Sequence, residues 1–214
     1  MSNPHVFVSR NIPEAGLSLL RGRTELSRWE GAIPPTPKQL IQALASADGY
    51  LSVSGDPVNA EVIRSTRKLR VISQFGVGYD NIDMPAATRR GIAVCNTPGV
   101  LTESVADLTL GLLLCAVRQI ARGDRFVRAG RWKEMRLTQD VHGRTLGLVG
   151  LGRIGQAVAR RARAFSLEIL YYDPVRDRKA EKELGARFVS LEKLLAEVAP
   201  APVMPLLPPV EAVK

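Results

Sequence analysis

The stretch that most narrows what this chain can fold into is TLGLVGLGRIGQAVARR, which places Gly150, Gly152 and Gly155 in G-x-G-x-x-G spacing. Alone, that spacing is a weak signal. Here an apolar strand pattern precedes it, a helical pattern follows, and Asp173 closes the next strand 23 residues after Gly150. Gly150 permits a tight turn, Gly152 lets backbone approach a pyrophosphate, and Gly155 lets the helix pack while its N-terminus faces the phosphates. A carboxylate at Asp173 suits the adenosine ribose hydroxyls and repels a 2′-phosphate, so the residues favour NAD over NADP. Arg176, three residues on, would soften that preference.

Ahead of this unit, short β-branched runs alternate with helical patterns up to about residue 97. The strand candidates are HVFVS, TELSRW, GYLSVS, RVISQF and GIAVC, and the helical stretches between them are PEAGLSLL, TPKQLIQALA, NAEVIRST and DMPAATRR. Right-handed crossovers fold such an alternation into a parallel sheet covered on both faces, with a flavodoxin-like arrangement as the expected outcome. One long, largely apolar helix is predicted next, capped by Thr102, with Glu103 and Asp107 in its acidic first turn and Arg118 and Arg122 in its basic last turn. Such a helix needs burial on more than one side, as a spine or a subunit interface.

The pattern then restarts as strand TLGLVG, helix GQAVARRARAF, strand EILYYD, helix RKAEKELG, strand RFVS and helix LEKLLAE. It ceases at a segment where Pro202, Pro205 and Pro208 recur every third residue. Prolines cannot donate to a central ladder, so this segment is not a further parallel strand. The expected organisation is an α/β chain: a flavodoxin-like domain over 1–98, an incomplete Rossmann domain over 99–198, and a proline-rich tail over 199–214.

The formal charge of +9 invites a nucleic-acid reading, but the basic residues are mostly scattered arginines on the polar faces of helices, with no run interleaved with aromatics. No nucleic-acid partner is expected. Cys95 and Cys115 sit in apolar runs without CxxC spacing, which predicts buried, reduced thiols and no metal site. The longest apolar run, Leu108 to Val117, is far short of a bilayer span, and the start lacks a signal-peptide core, so no membrane partner and a cytoplasmic location are expected.

The segments FGVGYDNID, GIAVCNTPGVLTESVADLTLGLLL, GDRFVRAGRW and GRTLGLVGLGRIGQAVARRARAF resemble the D-isomer-specific 2-hydroxyacid dehydrogenases. The start VFVSRNIPEAGLSLL and the NTPGVLTE wording are more similar to the glyoxylate and hydroxypyruvate reductase branch than to the phosphoglycerate dehydrogenase branch. The resemblance implies a flavodoxin-like substrate domain, a Rossmann domain for NAD, an active site in the cleft, and a homodimer through the helix at about 101–121. It implies that the Val77 and Gly78 amides hold the substrate carboxylate and that Val53 and Ser54 wall the pocket. Arg153 and Ile154 match the pair that contacts the dinucleotide, and Val105 matches a position near the nicotinamide.

The family reaction passes hydride to a small 2-keto acid, using an arginine to clamp it and a histidine oriented by a glutamate to supply the proton. Those residues are not present in context. An ARG triplet at Ala121 to Gly123 falls at the expected end of the long helix, His5 lies in the first strand, and His142 precedes the Rossmann strand. No catalytic residue is assigned. The expectation is a truncated or frameshifted member whose frame departs from the family at about Glu197, inactive alone and with an uncovered sheet face. The alternatives are a non-catalytic NAD-binding regulatory module and a phosphoglycerate dehydrogenase-like member of the same family.

Overall fold

The computed structural model describes residues 3–133 and 137–198. The proline-rich segment lies outside them. Among the described residues one compact unit ends at Val100 and a second begins at Leu101.

In the first unit five strands form one parallel sheet: β1 (His5–Val8), β2 (Glu25–Arg28), β3 (Gly49–Val53), β4 (Val71–Phe75) and β5 (Ala93–Cys95). Their order is β2-β1-β3-β4-β5, the flavodoxin-like order expected. Four helices connect them: α1 (Glu14–Leu17), α2 (Pro37–Ala43), α3 (Ala60–Ser65) and α4 (Met84–Arg89). Three of their starts are written locally. Thr36 and Gln39 form a capping box on α2, Asn59 caps α3 through the Val62 N–H, and Asp83 caps α4 through the Ala86 N–H. Tyr50 and Ile72 of the central strands pack against Leu40, Leu44 and Ile63 of the covering layers, all fully buried or nearly so.

Cys95 is exposed, contrary to the buried thiol expected, because β5 is an edge strand and Cys95 is its last residue. Cys115 is half-buried.

The second unit opens with α5 (Thr102–Val117), followed by α6 (Ile120–Arg128), where one continuous helix was expected. The two bend by 60° at a break where Gln119 adopts the left-handed conformation, φ 50°. That conformation stops the helical ladder, so the ARG triplet belongs to the body of α6. The Thr102 cap is also corrected. Leu101 stands at the N-cap with no side-chain hydrogen bond, and Thr102 is the first helical residue. No single helix among the described residues is long and apolar enough to cross a membrane.

Three parallel strands follow in the order β6-β7-β8: β6 (Thr145–Val149), β7 (Glu168–Tyr172) and β8 (Ala186–Phe188). They alternate with α7 (Arg153–Ala162), α8 (Arg178–Leu184) and α9 (Leu191–Val198). Ile169 and Tyr171 pack on the side of α7 and α8, while Leu170 packs on the opposite side with Leu194 of α9. The expected bare sheet face is therefore covered by α9. The expected unpaired edge is present: among the described residues β6 pairs only with β7, and Val149 at its end is 71% exposed.

Candidate functional site

The glycine turn joins β6 to α7. Gly150 takes φ 99°, closed to ordinary side chains, and its N–H donates to the Tyr172 carbonyl at 2.7 Å. A Cβ on Gly155 would lie 2.3 Å from the Gly150 carbonyl oxygen, so α7 meets the strand end backbone to backbone. The space beside Gly152 is open, with no atom within 4 Å of where a Cβ would stand. The first turn of α7 thus presents amides to a surface that a phosphate can approach closely.

Asp173 follows β7 and reaches back to this turn. Its Oδ2 accepts the Leu151 N–H at 2.9 Å and its Oδ1 accepts the Val175 N–H at 3.1 Å. Those two backbone donors hold its carboxyl below the usual range. It stays ionised, and each oxygen keeps a lone pair for a ribose hydroxyl. Asp173, Gly152, Arg153 and Arg176 line one cleft. Ile154, beside Arg153, is outside that lining and 38% exposed. The turn, the open approach and the carboxylate fit a dinucleotide.

Val105 lies half-buried on α5, its carbonyl accepting the Thr109 hydroxyl at 2.7 Å. The next residue, Ala106, packs with Leu110 against Ala157 and Val158 of α7. Arg161 clamps the pair from α7, reaching Glu103 at 2.8 Å and Asp107 at 2.6 Å. The two acidic residues read as partners of the helix dipole are therefore also ion-pair partners of a neighbouring helix.

In the first unit the predicted residues lie at the carboxyl edge of the sheet. Val53 ends β3 opposite Phe75, the end of β4, and Ser54 begins the turn that follows β3. Val77 and Gly78 follow β4. Each carbonyl of this short segment is tied down: Gly76 O accepts the Thr97 N–H at 3.0 Å, Val77 O the Asn96 amide at 2.8 Å, and Gly78 O the Gln74 amide at 3.2 Å. The Val77 and Gly78 N–H groups donate to no acceptor among the described residues. Peptides whose carbonyls are held by their own fold and whose N–H groups stay unpaired form a ready anion receptor.

Sequence reasoning missed Gln74. It is wholly buried, accepts the Ser52 hydroxyl, and spreads its amide over Ser54, Gly78 and Asn81 at 3.1 to 3.3 Å. The signal was a polar residue inside an otherwise strand-like run, VISQF.

Asp56 plays the matching part under β3. Its buried carboxylate accepts the Ser9 hydroxyl, the Tyr50 hydroxyl at 3.0 Å and the Val53 N–H at 2.8 Å, which fixes the Val53–Ser54 wall. Burial, then the Asp56 charge, pushes the Tyr50 hydroxyl upward, so it remains a donor at all ordinary pH.

The histidines lie elsewhere. His5 opens β1, at the amino end of the parallel sheet, with Nε2 on Ser27 Oγ at 2.6 Å and Nδ1 on Ser46 Oγ at 3.3 Å. His142 is exposed in the turn before β6. Neither ring is hydrogen-bonded to a carboxylate among the described residues.

Known proteins resemble this chain over most of its length. The family described as D-isomer specific 2-hydroxyacid dehydrogenase, catalytic domain, matches residues 6–199. A glyoxylate reductase of Korarchaeum cryptofilum is 52% identical over 199 residues, covering 91% of this chain and 60% of the relative. The crystal structure of the TT0316 protein from Thermus thermophilus superposes with a TM-score of 0.82 at 41% identity, over 91% of this chain and 62% of that one. D-Lactate dehydrogenase from Aquifex aeolicus, solved with NAD and lactic acid, gives 0.77 at 27% identity, over 91% and 58%. The chain thus spans about 60% of the length of the curated relatives it matches.

Proposed function

This chain belongs to the D-isomer-specific 2-hydroxyacid dehydrogenase family, and from that membership we propose that it carries the ligand-binding parts of an NADH-dependent reductase of a small 2-keto acid, glyoxylate or hydroxypyruvate. The observation that carries this reading is the pair of unpaired N–H groups at Val77 and Gly78, with the neighbouring carbonyls pinned. Unpaired amides on adjacent peptides can donate together to a carboxylate.

When bound, the reduced nicotinamide supplies hydride to the keto carbon. The chain's own residues bind and orient. Val77 and Gly78 hold the substrate carboxylate, and Val53 and Ser54 wall it. The amides at Gly152 and the first turn of α7 receive the pyrophosphate, with Arg153 and Ile154 beside it. Asp173 accepts ribose hydroxyls and, as a fixed anion, disfavours a 2′-phosphate. Val105 stands at the nicotinamide end.

The alcohol oxygen formed by reduction must take a proton from a group within hydrogen-bond reach. His5 is at the far end of its sheet, and neither His5 nor His142 is hydrogen-bonded to a carboxylate among the described residues, so neither is assigned that role, and the expected behaviour of the 214-residue chain is ligand binding without turnover. Exposed Leu108 and Leu112, each 61% accessible on α5, support a homodimer through that helix.

The test is NADH fluorescence titration together with an assay of NADH oxidation by glyoxylate and hydroxypyruvate. Binding without oxidation is expected. Turnover at an ordinary reductase rate would overturn the claim that the acid is missing. NADH binding, with no response of the Val77 and Gly78 amide resonances to oxalate, would favour a dinucleotide-sensing module instead.

A further inference from the structure

Arg176 lines the same cleft as Gly152 and Asp173, three residues beyond Asp173 on the loop leaving β7. A guanidinium at this place would suit a 2′-phosphate, because its planar fork matches phosphate oxygens and its charge persists at all ordinary pH. Here the Nε–Nη2 edge of the fork is already occupied. Arg176 Nε donates to Glu181 Oε1 at 2.6 Å and its Nη2 to Oε2 at 2.8 Å, while the guanidinium carbon sits 5.4 Å from the centre of the Phe188 ring.

Glu181 is itself held in place. The Tyr171 hydroxyl donates to it at 2.8 Å and accepts the Asp177 N–H at 3.1 Å, and the Tyr171 side chain is fully buried. Arg176 therefore meets a carboxylate anchored to the core, and the pair ties the loop after β7 to the first turns of α8.

We propose that Glu181 is a cofactor-specificity residue, which keeps the chain selective for NADH by holding Arg176 in a bidentate pair and so denying it to a 2′-phosphate. The inference rests on the dinucleotide reading above and adds to Asp173 a second, separate device: Asp173 repels the phosphate, and Glu181 withholds the cation that would receive it. Arg153 and Arg178 also line the cleft, on the first turns of α7 and α8. Arg176 differs from them in following Asp173 on its own loop.

The experiment titrates the whole chain with NADH, NADPH and 2′,5′-ADP, in the unaltered form, in Glu181→Gln, and in Glu181→Gln with Arg176→Ala. Glutamine keeps the shape and an oxygen for Tyr171 but gives up the charge. The expected result for Glu181→Gln is NADPH and 2′,5′-ADP binding tighter by about tenfold, with NADH within about twofold, since a charge-assisted phosphate contact is gained. Adding Arg176→Ala should cancel the gain. A merely structural role for Glu181 would weaken both cofactors together. NADPH affinity unchanged in Glu181→Gln, or a gain that survives Arg176→Ala, overturns the inference while NADH binding leaves the dinucleotide reading standing. Absence of NADH binding by the unaltered chain overturns both.

Discussion

Gly155 sits so close to Gly150 that a Cβ on it would stand 2.3 Å from the Gly150 carbonyl oxygen. The strand end and the helix start are therefore one backbone contact, and the loop between them has a fixed shape into which a pyrophosphate can settle.

Replacing Gly155 with alanine should force that contact apart. The expected cost is about 1–3 kcal/mol of overpacking, read as a lower urea midpoint, together with loss of NADH binding. Gly152→Ala is the matched control. Its Cβ enters open space, so the fold should persist while NADH binding weakens.

Gln74→Leu removes the amide that braces Gly78 and leaves the Ser52 hydroxyl buried without its partner. A destabilisation of about 1–3 kcal/mol is expected from the unsatisfied group. In ¹⁵N–¹H spectra the oxalate-induced shifts at Val77 and Gly78 should shrink, because the peptide that presents those amides is no longer pinned. Equal oxalate affinity in the variant would count against Gln74 as the brace.

Glu181 titrates from the ordinary carboxylate value of 4.5 down to about 2, chiefly because Arg176 hydrogen-bonds its charged form. A lowered folded value means that the stabilisation is complete above the unfolded value and is lost as pH falls through the folded one. The gap in melting temperature between the unaltered chain and Glu181→Gln should thus be constant above about pH 5 and close between pH 4.5 and 2. A gap that persists at pH 2 would show that the ion pair is not its source.

Arg161→Met cuts the ties from α7 to Glu103 and Asp107. Both acidic partners are mostly exposed, so the drop in melting temperature should be small and should vanish in about 1 M salt, where the screening length falls to about 3 Å.

Leu108→Glu with Leu112→Glu places charges on the exposed stripe of α5. Sedimentation velocity should show the proposed dimer reduced to monomer, with far-ultraviolet dichroism unchanged. Persistence of the dimer would move the interface off this helix.

The sequence by itself determined the order of strands and helices and the parallel, flavodoxin-like first sheet, because alternating β-branched and helical runs and short connections leave few chain paths. It also marked the glycine turn and Asp173, since a positive φ and a close backbone approach demand glycine at set positions. The starts of α2, α3 and α4 were equally local, each written in a capping residue such as Thr36, Asn59 or Asp83.

Only the tertiary structure decided the rest. The break at Gln119 has no proline or glycine to announce it, and α9 covers a sheet face that strand counting alone leaves bare. The three carbonyls behind the Val77 and Gly78 amides are held by Thr97, Asn96 and Gln74, which come from two different strand ends. Arg176 and Glu181 neutralise each other across a loop, so a residue that reads as phosphate-seeking is already occupied. The physical reason is common to all of these: backbone conformations are set by neighbours in sequence, whereas which polar groups stay unpaired is settled only when distant segments have packed and taken their partners.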